Sequence, residues 1–199
     1  MKTGQAQGCR WHRRVARFLH VVVLAGGTLA ASLAGSAWAQ DVTPFREYDV
    51  KAVFLFNFTQ FIDWPESRAA ETNAAFVIGV LGADPFGAIL DQAVTGEHIR
   101  GRALAVRRFS RVEDVQNCDL LFVSRSEKGR MADIVRRLSG RGILTVGDLD
   151  PFGRLGGIIT FKTAKGRVQF EINVAAAEKE GFRISAKLLK VAQVAHGEP

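Results

Sequence analysis

"VKAVFLFNFTQFIDWP", residues 50–65, places four phenylalanines and a tryptophan in sixteen positions and supports two readings. Phe54, Phe56 and Phe58 alternate as in a strand, whereas Phe54, Phe58 and Phe61 repeat as in a helix. Sixteen residues without an internal Gly or Pro exceed an ordinary strand, so the stretch reads as a helix. On a wheel, Val50, Phe54, Phe58, Phe61 and Ile62 gather on one side, with Tyr48 and Leu55 at its edge. Pro65 disfavours helical dihedrals at Trp64, which puts the helix end near Asp63. Val53 and Phe56 then fall among Asp49, Thr59, Gln60 and Asp63, on the side expected to face water. Burying an apolar side chain there contributes about 25 cal/mol per Å². Val53, Phe56, Gln60 and Trp64 are therefore the candidate partner-binding residues, although single exposed apolar residues are common and Trp64 also suits a packing plug at the helix end.

Downstream, apolar runs rich in Val, Ile and Phe alternate with helical patterns. "AFVIGVL" (75–81) reads as a strand, followed by Asp84-Pro85 as N-cap and first residue of a helix running to about Val94. "ALAVRRF" (103–109) and "DLLFVS" (119–124) read as further strands, the latter covered on both faces because its apolar residues do not alternate. Ser126 is placed to cap a helix whose Met131, Ile134, Val135 and Leu138 form one stripe before Gly140. "GILTVGD" (142–148) is a fourth strand. Strands separated by helices predict right-handed crossovers and a mostly parallel sheet. "GIITFKTAKGRVQFEIN" (157–173) instead alternates on both sides of Ala164-Lys165-Gly166, the pattern of an antiparallel hairpin. Asn173 and Ser185 cap two short final helices, the second with Leu188, Leu189 and Ala192 turned inward. The expected fold is α/β and three-layered: a mostly parallel sheet, a C-terminal antiparallel hairpin, and helices on both faces.

Residues 1–39 read as an export signal. Arg10, Arg13, Arg14 and Arg17 precede an apolar stretch from Phe18 to about Leu33, and Ala37-Trp38-Ala39 has the small-x-small pattern of a cleavage site. Gly26, Gly27, Thr28 and Ser32 interrupt the apolar stretch, which is short for a bilayer core needing about 20 residues. Cleavage after Ala39 leaves a single domain, 40–199, with loose ends at 40–46 and after Ala195 and no stable membrane insertion. The chain has 27 Lys+Arg against 20 Asp+Glu. Five of the bases lie in the leader, so the mature protein holds 22 against 20 and a net charge of +2. The high pI of 9.9 thus belongs mostly to the signal and argues against a nucleic-acid partner. Cys9 departs with the leader, and Cys118, at the head of an apolar strand, has no second cysteine with which to form an internal disulfide.

The chemistry-bearing residues do not form an enzyme's constellation. His98 and His196 lie outside metal-ligand spacing, so no metal or cofactor is expected. Ser124, Ser126 and Ser139 lack a Gly-x-Ser-x-Gly context. "GVLGADPFG" (79–87) follows a strand, but it matches no phosphate-binding fingerprint, and Asp84 would repel a phosphate. "GDLDPFGRLGG" (147–157) offers Asp148, Asp150 and Arg154 at the end of the fourth strand. As catalytic groups these compete with plain turn formation; as a small-ligand loop they are the first choice. The arginines at 100, 102, 107, 108 and 111 read as a solvated strand edge that discourages sheet-to-sheet association, with an acidic partner patch as the alternative.

Taken together, "VKAVFLFNFTQFIDWP", "FVIGVLGADPFG", "CDLLFVS", "ILTVGDLDPFGRLGGIITF" and "FEINVAAAEKEGFRISAKLLKVAQV" resemble the YfiR family of small periplasmic proteins over the whole mature chain. The resemblance implies a non-catalytic regulator that restrains an inner-membrane diguanylate cyclase through its periplasmic part. It also implies an outer-membrane peptidoglycan-binding lipoprotein that relieves the restraint, and an output in cyclic di-GMP and biofilm. A homodimer is a further expectation. The namesake's paired cysteines, linked to redox control, have no counterpart here, because Cys118 has no mate. The rival reading is a periplasmic small-ligand-binding protein using loop 147–157.

Overall fold

A computed structural model describes residues 44–65 and 74–195. The expected leader and its expected cleavage point at Ala39, as well as Cys9 and His196, lie outside the described residues. The chain opens with α1 (Pro44–Phe61), which begins inside the segment expected to be loose and stops two residues short of Asp63. Ile62–Asp63 instead form β1, paired antiparallel with β9 (Arg183–Ile184). An eight-stranded sheet follows, ordered β10-β8-β7-β6-β5-β2-β4-β3. Its strands are β2 (Phe76–Leu81), β3 (His98–Ile99), β4 (Arg102–Phe109), β5 (Leu120–Val123), β6 (Leu144–Gly147), β7 (Ile159–Ala164), β8 (Arg167–Asn173) and β10 (Gln193–Ala195). The pairs β4–β2, β2–β5, β5–β6 and β6–β7 are parallel, and β7–β8 is the antiparallel hairpin. Its two-residue turn has positive φ at both Lys165 (51°) and Gly166 (70°), which matches the right-handed twist of the flanking strands.

The chain starts the parallel sheet at β2, adds β4 on one side, then returns across β2 to build β5, β6 and β7 on the other. This reversal is the switch point of a doubly wound sheet. Helices cover both faces: α2 (Ala88–Val94), α3 (Met131–Leu138), α4 (Pro151–Arg154), α5 (Val174–Lys179) and α6 (Ala186–Val191) complete the set among the described residues. All six residues of β2 are buried, and they alternate between two cores. Phe76, Ile78 and Val80 join α1 and α2 through Leu55, Phe58 and Leu90, whereas Val77 and Leu81 join α3 and α4 through Ile134, Leu138 and Phe152. Phe152 closes the second core by lying against two glycines. A Cβ on Gly157 would stand 2.3 Å from its ring, and one on Gly147 2.6 Å.

Several local expectations are corrected. Asp84 does not cap α2, which starts only at Ala88. Its Oδ1 accepts from Phe86 N (2.8 Å) in a local turn, while Oδ2 accepts from Arg108 (2.9 Å). Ser126 is not a helix cap: the Ser124 side chain caps the 3-10 turn Arg125–Arg130, and Ser126 Oγ accepts from Ala83 N at 2.9 Å. Gly82 has φ +89°, and its missing side chain leaves the space Ser126 occupies, since a Cβ there would sit 2.3 Å from Oγ. Arg102 is not on a solvated edge. It is buried and grips both carboxylate oxygens of Asp119 at 2.9 and 3.0 Å, while Asp119 also accepts from Val77 N, tying β4, β2 and β5 together. Arg108 is exposed but committed to Asp84 and Asp91. The capping roles of Asn173 and Ser185 hold, each side chain accepting from a backbone N–H three residues on. The final helix stops at Val191, and β10, a strand unforeseen from sequence, adds to β8.

Candidate functional site

α1 sets the geometry of the site. Its buried side comprises Lys51, Ala52, Leu55, Phe58 and Thr59 and is continued by Ile62 of β1, the set recurring at i, i+1, i+4, i+7, i+8 and i+11. This stripe is turned by about 90° from the one drawn with apolar residues alone, at 100° per residue. Phe54 and Phe58 pack on Phe161 and Phe170 of the hairpin with centroids 5.1–6.1 Å apart. Phe56 lies on the opposite flank of the helix from Phe54. The expectation that Phe56 faces water is corrected: it is 9 % exposed. Phe61 and Val50, expected inside, are 39 % and 43 % exposed.

The rotation has an electrostatic cause. Lys51 is 0 % exposed, and its Nζ bonds Glu47 Oε1 (2.6 Å) and Asp148 Oδ2 (2.9 Å) and lies 4.5 Å from the Tyr48 ring centroid. Asp148, just past β6, also accepts on Oδ2 from Tyr48 Oη and from Arg125 Nε, each at 2.9 Å. Thr163 Oγ1 donates to Glu47 Oε1 at 2.9 Å. A buried ammonium requires such partners, because an unpaired one costs several kcal/mol. The network therefore pulls Lys51 inward and carries the helix face with it. Burial, with the adjacent Asp148 charge and hydrogen bond, raises the Tyr48 phenol well above its usual range. Burial also opposes ionisation of Glu47, but hydrogen bonds from Lys51 and Thr163 outweigh it and hold that carboxyl below its ordinary value.

This cluster gathers at the carboxyl ends of β5 and β6, beside the switch point where open α/β sheets receive ligands. Here the chain's own Tyr48, Lys51, Asp148 and Arg125 meet there. Asp148 Oδ1 is buried without a hydrogen-bond partner. The three loop candidates do not converge: Asp148 is buried in the network, Asp150 is exposed with Lys162 Nζ 3.6 Å away, and Arg154 is exposed at the end of α4. Of the four partner-binding candidates, Val53 is half-buried and Gln60 exposed, whereas Phe56 and Trp64 are buried. Trp64 packs edge-on against Phe76 and Phe182 at 5.1 and 5.6 Å. Val50, Val53, Asn57, Gln60 and Phe61 form one continuous outward strip on α1. Sequence reasoning missed Lys51, Tyr48, Glu47 and Arg125. The available signal was a lysine within an apolar run, four residues after a glutamate.

Cys118 is buried, its Sγ donating to Leu120 O at 3.1 Å. Among the described residues no group of His, Cys, Asp and Glu is arranged to hold a metal, and no helix is long and apolar enough to cross a membrane.

Residues 48–193 match the family described as YfiR/HmsC-like. No curated protein matches the chain. Two solved structures are similar over 60 % of this chain: a conserved domain protein from Vibrio cholerae O1 biovar El Tor (14 % identity, TM-score 0.46) and the ABC domain in complex with L-Trp from Streptococcus pneumonia (12 % identity, TM-score 0.45). The chain spans 54 % of each.

Proposed function

From the premise that this chain belongs to the YfiR/HmsC-like family, we propose that it is an exported regulator that works by protein contact. In this reading it restrains an inner-membrane diguanylate cyclase from the periplasmic side and lowers cyclic di-GMP and biofilm output. An outer-membrane peptidoglycan-binding lipoprotein is the expected source of relief, and the protein is not an enzyme. The observation that carries the reading to a surface is the outward strip of α1, where Val50 and Phe61 remain exposed although the helix has a full core face elsewhere. The partner-binding assignment accordingly keeps Val53 and Gln60, gains Val50 and Phe61, and releases Phe56 and Trp64.

The test is capture from an envelope fraction with periplasmic protein, whose first residue after leader cleavage is expected to be Gln40. Wild-type protein should retain a membrane protein bearing a diguanylate cyclase domain. Phe61→Glu should lose that capture and raise cyclic di-GMP at unchanged melting temperature, whereas Phe56→Glu should unfold the domain. Undiminished capture by folded Phe61→Glu would sink the surface assignment; absence of any cyclase would sink the function.

The small-ligand reading retains one observation, the orphaned oxygen of Asp148. A metabolite that raises the melting temperature of wild type but not of Asp148→Asn, with cyclase capture unchanged, would favour it.

A further inference from the structure

The face of the sheet opposite α1 carries a second surface. Along α3 runs a groove of two basins, about 690 Å³ beside its first turn and about 450 Å³ beside its last, both bordered by Arg136 and Leu155. Its floor is apolar: Leu149 in the first basin, Val135, Leu138, Ile143 and Ile158 in the second. Leu155 stands between them, 39 % exposed. The rim is basic, with Lys128, Arg130, Arg136 and Lys179 against two acids, Asp133 and Glu180.

Both acids are already engaged by the chain. Asp133 accepts from Arg136 and from Arg137 Nε (2.6 Å). Glu180 accepts from Ser139 Oγ (3.1 Å) and from the backbone N–H groups of Gly140 and Gly142 (2.6 and 3.3 Å), closing the end of α3. Lys128 and Lys179 are exposed, one at each end of the groove, and make no ion pair among the described residues. The surface therefore offers positive charge without an internal answer around an apolar floor.

We propose that this groove docks an acidic amphipathic helix of a partner protein. Two basins separated by Leu155 suit two apolar side chains one turn or two apart, and α3 provides a wall about 12 Å long at 1.5 Å per residue. Carboxylates flanking those side chains would meet Lys128 and Lys179. A second copy of this chain is the poorer match: its exposed strip of Val50, Val53 and Phe61 is interleaved with the neutral Asn57 and Gln60, and the neighbouring Asp63 is paired with Arg100. The inference is independent of the cyclase reading, because no residue that lines the groove belongs to the α1 strip of Val50, Val53, Asn57, Gln60 and Phe61.

The test uses labelled synthetic helices of about four turns with leucine at i, i+3, i+4 and i+7 and either glutamate or lysine at the flanking positions. Fluorescence anisotropy is read against the mature protein. The glutamate peptide should bind at least about tenfold tighter than the lysine peptide and weaken as salt is raised, as screening requires. K128E/K179E, which alters only exposed side chains, should reverse the preference, and Leu155→Glu should weaken the glutamate peptide. Equal affinity for the two peptides, or binding untouched by K128E/K179E, would overturn the proposal. So would self-association in sedimentation that L155E abolishes, since a second copy would then be the occupant.

Discussion

Tyr48 is the chain's single tyrosine, so its ionisation can be followed alone by ultraviolet absorbance. With its folded-state pKa raised above the ordinary 10.0, phenolate should appear late in the native protein and near the ordinary value once urea unfolds it. The folded state holds the proton that the unfolded state releases, so the contribution of Tyr48 to stability is whole below pH 10.0 and falls as pH climbs above it. Glu47 acts at the other end. Its depressed value gives stability that is whole above the ordinary value of 4.5 and is lost as pH drops through the folded value. Urea unfolding across pH should show both losses, and Tyr48→Phe should remove only the alkaline one. Lys51→Met tests the network directly. It leaves Asp148 buried, and about 3 kcal/mol of destabilisation is expected, the lower end for a broken buried pair because Arg125 and Tyr48 still hold Oδ2. Lys51→Met with Asp148→Asn should cost less than the two single changes summed, the sign of direct coupling.

At the level of elements, the fewest surprises came where one physical rule acted alone. β2, β5 and β6 were legible because strands covered on both faces are unbroken apolar runs, and the β7–β8 hairpin because Lys165-Gly166 fits a tight turn. The helix over residues 50–61 was legible from its length, but its orientation was not. An apolar wheel takes no account of a lysine drawn inward by an aspartate 97 positions away. Arg102 was misread for the same reason, since its partner Asp119 lies 17 positions away, just ahead of β5. β10 was invisible because three residues carry no period. The Phe152 contact was equally hidden, although it makes a sharp prediction. Gly157→Ala should destabilise by about 1–3 kcal/mol through overpacking, as judged by thermal melting, and Phe152→Leu in the same chain should recover part of the loss. A Gly157→Ala chain as stable as wild type would mean that the ring is free to move aside.

For the whole molecule, the two cores divide the labour. The face under α1 is rich in aromatic rings, most of them packed edge-on, and α1 presents an outward strip, while the face under α3 presents a basic-rimmed groove. With the two proposed surfaces so placed, loss of one contact by Phe61→Glu is expected to leave glutamate-peptide binding unaltered. The parallel pairing of β10 with β8 carries a separate consequence for handling the protein. Gln193, Val194 and Ala195 align with Glu171, Ile172 and Asn173, and so occupy the outer hydrogen-bonding groups of the hairpin. Shortening the chain to Ala192 would bare that row to other molecules, and unsatisfied strand borders recruit their own kind. The trimmed protein is expected to form thioflavin-positive fibrils on storage while its circular dichroism begins close to native, and a truncated sample that stays monodisperse in light scattering for as long as the intact one would show that β10 guards nothing.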